Sequence, residues 1–338
     1  MSPVALPAED SPLTPLPSPP YSPEVMTRAR RAALRLLLSS TLFAIMAAGT
    51  KVVTVRLPGA EVSLVRFLAG VVVVGVAVAL GRAKGQSILR PRRWDWLLTR
   101  GLFGGIAVVS YFASIRLTPV GVATLLNQTQ PVFTMLFSWA LLAERPRRGA
   151  LGALALTVAG VTIIVGVRQL ALHAWRGELL GIGSAIASGI AVTAIRAARR
   201  TIPGGPPPET AWSVFLSFSA IGALVSAPWA FAPGGAWLVP RGPEWGLLAL
   251  VAGASVGAQL IMTEAIGHLT AVQSGIISQL TVPTTVVFGI TFLGEELTPS
   301  FLLGAALIFS GVAVTIVATA PRLRSAARAA RSGTIIDP

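Results

Sequence analysis

Cysteine is absent from this chain of 338 residues, and histidine occurs only twice, as His173 and His268. Without cysteine there are no disulfides, no thiol nucleophile and no thiolate metal ligands, and the redox compartment stays open. Neither histidine has a second His or a cluster of Asp and Glu near it, so the sequence nominates no catalytic residue and no metal centre. The glycine-rich stretches lack the G-x-x-x-x-G-K-[ST] phosphate cradle, which disfavours ATP-driven chemistry, and no cofactor is expected. Charge is scarce as well: Asp, Glu, Lys and Arg make up 12% of the residues.

Apolar residues fill the chain instead. The composition is 53% hydrophobic and the mean hydropathy is +0.73, well outside the range of an ordinary soluble domain. Crossing about 30 Å of hydrocarbon takes about 20 mostly apolar residues. Ten such stretches run approximately over 34–54, 60–81, 95–115, 119–142, 149–167, 177–197, 211–231, 245–266, 271–293 and 299–319. A soluble protein burying ten helices of this length would need polar helices around them, and the sequence offers none. The expected solvent is the lipid bilayer, and the expected fold class is an all-α integral membrane protein with ten transmembrane helices.

A formal charge of +14 and a pI near 11.8 would suggest nucleic acid as the partner of a soluble chain. The distribution of the charge argues for orientation instead. With a cytoplasmic N-terminus, the inside segments around 28–35, 82–100, 145–148, 196–200 and 322–331 hold twenty of the 27 Lys and Arg, Arg100 among them. The outside segments hold six, and Arg66 lies inside the second span. This is the positive-inside asymmetry, so both termini are expected in the cytoplasm of a bacterial inner-membrane protein. Nucleic acid is not needed.

The chain also resembles itself. A slide of 152 residues sets "IRLTPVGVATLLNQTQPVFTM" from Ile115 against "GHLTAVQSGIISQLTVPTTVV" from Gly267, aligning Thr129 with Thr281 and Pro131 with Pro283. Each half holds five spans. Because five is odd, the second half must enter the membrane from the opposite side, which makes the halves inverted repeats. The expected organisation is a disordered cytoplasmic tail over 1–30, rich in Pro and Ser, a first repeat over 31–168, a second over 176–320, and a basic cytoplasmic tail over 321–338.

The polar residues inside these spans are the candidates for a binding site. Pro131 and Pro283 are predicted to kink the fourth and ninth spans and to free the carbonyls of Asn127 and Gln279, both amide residues. At 1.5 Å per residue, each lies about 12 Å from the end of its span, from opposite sides. Unsatisfied polar groups in hydrocarbon are costly, so these should face protein or a water-filled cavity. Gln128, Ser110, Tyr111, Ser184, Ser188 and Gln259 are further candidates to line it; the alternative is interhelical hydrogen bonding. Of the thirteen acidic residues only Glu264 is placed inside a span, near the cytoplasmic end, as either a proton-coupling group or a snorkelling carboxylate. Arg66, about one and a half turns into the second span, either pairs with Glu61 or Glu244 or attracts an anionic group.

"LTPVGVATLLNQTQPVFTMLFSWALLAER" and "LTAVQSGIISQLTVPTTVVFGITFLGEELTPSFLLGAALIFSGVAVTIV" both resemble the second half of the EamA repeat of the drug/metabolite transporter superfamily. The shared features are the mid-span proline, the small-residue Glu step at the end of the span, and the glycine-bearing last helix. The Arg in "VSLVRFLAG" is similar to one the family often carries there. "ERPRRG" at 144–149 departs from the family's Glu-Leu-Thr continuation, which leaves Glu144 a poor functional match. The resemblance covers about residues 34–319. It implies a ten-helix, exporter-like permease with a central cavity and alternating access, moving small metabolites or amino acids as substrate. The oligomeric state is left open. The alternatives from other classes are an integral-membrane enzyme and a channel-like facilitator.

Overall fold

The computed structural model describes residues 23–83, 89–142, 149–168, 175–200, 205–231, 237–266 and 278–319. Among the described residues there are eleven helices and no strand. These are α1 (Pro23–Val53), α2 (Gly59–Ala83), α3 (Trp94–Leu117), α4 (Val120–Asn127), α5 (Gln130–Leu142) and α6 (Ala150–Arg168). They continue with α7 (Trp175–Arg199), α8 (Ala211–Ala230), α9 (Gly242–Ile266), α10 (Thr281–Leu293) and α11 (Pro299–Thr319). Six of them are long and apolar enough to cross a membrane by themselves. Their outer faces carry the signature of lipid contact: Leu68, Val72, Val76 and Leu80 form an exposed apolar stripe at a spacing of four along α2. Trp94, Trp175, Trp229 and Trp245 are exposed near helix ends, where indole rings favour the lipid headgroup level.

The fourth span is not one kinked helix. The chain stops at Asn127, turns through Gln128 and Thr129, and restarts at Gln130, so Pro131 sits in the first turn of α5. A proline is tolerated there because the first N–H groups of a helix have no internal partner to lose. The ninth span repeats the device. Ser278 is helical, Gln279 and Leu280 form a turn, and α10 begins at Thr281 with Pro283 in its first turn. The carbonyl of Gln279 accepts from Val282 N at 3.1 Å, so the group left without a proline donor is taken up by a tighter turn. Residues 271–277, and with them the start of the ninth span, lie outside the described residues.

Helix packing follows the sequence repeat. α1 packs on α9 as α3 packs on α7, α2 on α9 as α3 on α8, and α1 on α10 as α5 on α7, while α2 packs on α8 and α6 on α11 across the axis. A matched pair of hydrogen bonds marks the first relation: Ser39 Oγ donates to the Ala258 carbonyl and Ser184 Oγ to the Ala107 carbonyl, each at 2.8 Å. Small residues permit the approach. A Cβ added at Gly160 in α6 would lie 2.6 Å from the Gly304 carbonyl of α11, and one at Gly222 in α8 would lie 2.4 Å from the Phe67 ring of α2. The two-repeat, all-helical membrane architecture expected from the sequence is the one found.

Polar contacts at the two ends are consistent with alternating helix direction. At one end Arg56 pairs with Glu244, and Glu61 accepts from Leu238 N at 3.1 Å. Donating to the Glu244 carboxylate holds the Arg56 guanidinium above its ordinary pKa. At the other end Arg93 donates to the Ala197 carbonyl at 2.7 Å, and Glu209 accepts from Arg92 N and Arg93 N at 2.5 and 2.7 Å.

Candidate functional site

The two chain breaks meet. Gln128 Nε2 donates to the Ser278 carbonyl at 2.9 Å, and Gln279 Nε2 donates to the Gln128 carbonyl at 3.5 Å. Each repeat thus presents the backbone of its turn to an amide of the other, which is how polar groups at mid-depth are satisfied without water. Gln279 Oε1 is buried and has no hydrogen-bond partner. Beside this junction lies a cavity of about 160 Å³. That is close to the volume of an engineered cavity that holds benzene, so it suits a small solute.

The predicted residues divide around this cavity. Asn127, Gln128, Tyr111, Ser188, Gln259 and Arg66 line it. Tyr111 is buried and its hydroxyl shares a hydrogen bond with Thr124 Oγ1 at 2.8 Å, a partner on the fourth span. Asn127 Nδ2 donates to Ser184 Oγ at 2.6 Å, and the Ser184 hydroxyl in turn donates to the Ala107 carbonyl. Ser184 therefore supports the cavity wall from behind. Ser110 is half-buried and does not line the cavity; Gln279 reaches it only through Gln128. Pro131 and Pro283 shape the two turns. Glu264 falls in α9, but its side chain lies outside what the structure describes.

One of the two alternatives for Arg66 is excluded, and one expectation about Glu264 is corrected. Arg66 pairs with neither Glu61, which binds Leu238 N, nor Glu244, which binds Arg56; its Nε donates to Ser255 Oγ instead. The reason is depth: the carboxylates sit in the first turns of α2 and α9, while Arg66 is about one and a half turns further into α2. Glu264 is also not the lone acidic residue within the spans, because Glu61 and Glu178 are buried in the first turns of α2 and α7.

Arg100 was missed as a site residue. Counted among the cytoplasmic charges, it lies six residues into α3, is buried, and lines the cavity. The signal was present: position 100 falls inside the third span as drawn, where an arginine is too costly to be an orientation marker. Thr124, Gln130 and Phe218 also line the cavity and were not nominated.

Two charged residues from different repeats meet at the α3–α4 junction. Lys51 Nζ donates to the carbonyls of Ile115 and Thr118 at 2.9 and 2.6 Å, and Glu295 accepts from Val120 N at 2.6 Å and Gly121 N at 3.4 Å. Each charge opposes the helix terminus it touches: the cation sits at the end of α3 and the anion at the start of α4. Pro119, the N-cap residue of α4, has no polar side chain, so Glu295 supplies the cap from afar. Gly294 makes this possible. Its φ of 65° ends α10 in a left-handed turn that aims Glu295 at α4.

The comparisons with known proteins agree with this architecture. The model of the EamA-like transporter family matches residues 30–166 and 175–317, one match for each half. The chain is 28% identical over 251 residues to the pseudopaline exporter CntI of Pseudomonas aeruginosa (strain UCBPP-PA14), covering 73% of this chain and 82% of that one. It is 26% identical over 249 residues to YwfM, an uncharacterized transporter of Bacillus subtilis (strain 168), covering 72% and 80%. A solved crystal structure shares the fold at a TM-score of 0.57 and 22% identity, covering 86% of this chain and 98% of that one. With both halves matched, this chain is a multi-pass membrane transporter of small molecules, not an enzyme, and belongs to the EamA-like transporter family.

Proposed function

We propose that the protein is a secondary exporter of a small metabolite or amino acid, working by alternating access. Its repeats, over 31–168 and 176–320, rock against each other about the site where the fourth and ninth spans break. One observation carries this reading: the two interrupted turns exchange hydrogen bonds beside a cavity at the repeat interface. Interrupted helices at such an interface are where secondary transporters hold cargo. These two neutral hydrogen bonds, at about 0.6 kcal/mol each, are weak enough to exchange during a transport cycle.

The direction of transport is supported by the similarity to the Pseudomonas exporter. The bacterial inner membrane as location, with both termini in the cytoplasm, is supported by the excess of Lys and Arg near the N-terminal side of the bundle.

Counterflow in proteoliposomes tests the reading. Purified protein is reconstituted and offered a panel of labelled amino acids and small metabolites with unlabelled solute inside. A carrier accumulates label with saturation. Ohmic current without saturation, or covalent conversion of the solute, would replace the proposal with a channel or an enzyme.

A further inference from the structure

Two arginines line the central cavity, and no carboxylate among the described residues lines it with them. Arg66 is 4% exposed and Arg100 is 7% exposed. Both guanidinium groups stand on the ring of Phe218, 5.1 and 3.9 Å from its centroid, and Arg66 also lies 5.0 Å from the Phe67 ring. Their donor capacity is only partly used. Arg66 Nε donates to Ser255 Oγ, while Arg66 Nη1 and Arg100 Nε are buried with no hydrogen-bond partner.

Four described carboxylates are engaged elsewhere. Glu61 holds Leu238 N, Glu244 holds Arg56, Glu209 holds Arg92 N and Arg93 N, and Glu295 caps α4. Burying an uncompensated charge costs several kcal/mol, and two like charges beside one ring raise that cost. A desolvated cation–π contact returns about 2 kcal/mol or somewhat more, and supplies no counter-charge. The ring contacts therefore position the guanidinium groups without neutralising them. An anion bound between them would.

We propose that the cargo carries a carboxylate, and that Arg66 and Arg100 bind it over the Phe218 ring. A guanidinium offers forked donors that match a carboxylate in two parallel hydrogen bonds, which a lysine cannot reproduce. The amides of Gln128 and Gln259 on the same cavity suit the remaining polar part of such a solute. About 160 Å³ limits it to a small acid in this conformation. The proposal deepens the carrier reading and rests on it for the word cargo; the binding chemistry stands on the arginines alone.

The test compares matched acids and amides on the purified full-length protein: phenylacetate with phenylacetamide, and glutarate with glutaramide, read as shifts in the thermal midpoint. At least one acid is expected to raise the midpoint while its amide leaves it unchanged. Arg66→Gln and Arg100→Gln are each expected to weaken that acid's apparent affinity at least tenfold, and Arg66→Lys to recover part of the loss. Equal shifts from acid and amide, no shift from any acid, or unchanged affinity in both glutamine variants overturns the proposal. If a variant fails to fold, the acid–amide comparison on the unaltered protein decides. Stabilisation by phosphatidylglycerol in nanodiscs with no effect of either acid would assign the arginines to a lipid headgroup and also overturn it. Acid-specific binding without counterflow of any solute would refute the carrier reading and leave the anion site standing.

Discussion

Removing the Glu295 carboxylate should loosen the start of α4, which it holds to the second repeat. In Glu295→Ala the N–H groups of Val120 and Gly121 lose their acceptor, and Pro119 cannot replace it. A hydrogen bond to a charged group contributes about 1.5–3 kcal/mol, and the half-buried position of Glu295 puts this one nearer the low end. Because the carboxylate joins the second repeat to the first, its loss weakens the closed arrangement by about 1–2 kcal/mol. That corresponds to an increase of about 5- to 30-fold in the open population.

The absence of native cysteine makes the assay direct. Ala123 is fully buried in α4, so Ala123→Cys reports opening through its rate of labelling by a membrane-impermeant maleimide. The rate should rise by the same factor in Glu295→Ala and by less in Glu295→Gln, which keeps one acceptor oxygen. A second perturbation reaches the same contact from behind. A Cβ at Gly289 would lie 2.6 Å from Glu295 Oε2, so Gly289→Ala must displace the carboxylate. Alanine is ordinarily better than glycine inside a helix by about 1 kcal/mol, yet here it should speed labelling. Folded Glu295→Ala and Gly289→Ala proteins that label within twofold of the parent would refute the assignment of Glu295 as a latch.

Asn127→Ala and Gln279→Ala should each lower the initial rate of counterflow while membrane insertion stays normal, checked by expression in the membrane fraction; normal kinetics in both would remove them from the site. Gly222→Leu forces its side chain into Phe67 and should cost about 1–3 kcal/mol of stability, seen as a lower thermal midpoint and weaker packing of α2 on α8. For the orientation, Val55→Cys after α1 and Arg200→Cys after α7 occupy the same place in their repeats and are both exposed. In intact spheroplasts only Val55→Cys should react with an impermeant maleimide; labelling of both from one side would contradict the inverted arrangement.

The repeat and its break were legible because they are local. A helix that stops at an amide and restarts at a proline writes both events within a few residues, and the 152-residue slide shows them twice, at Asn127 to Pro131 and at Gln279 to Pro283. Hydrophobic length identified the spans for the same reason: the thickness of the bilayer is a one-dimensional constraint on a helix. Neither constraint says which side of a helix faces which neighbour. Ser184 and Ser188 lie one turn apart, yet only Ser188 meets the cavity, because Ser184 is taken up by Asn127 and the Ala107 carbonyl. Arg100 looked like an orientation marker and became a cavity residue once α8 brought Phe218 beneath it. Glu295 joins a helix 175 positions away, a pairing that no local pattern encodes. What the chain determined by itself was solvent, span number and symmetry. The tertiary structure alone decided which buried charges meet, since that depends on helix rotation and close approach through glycine rather than on composition or period.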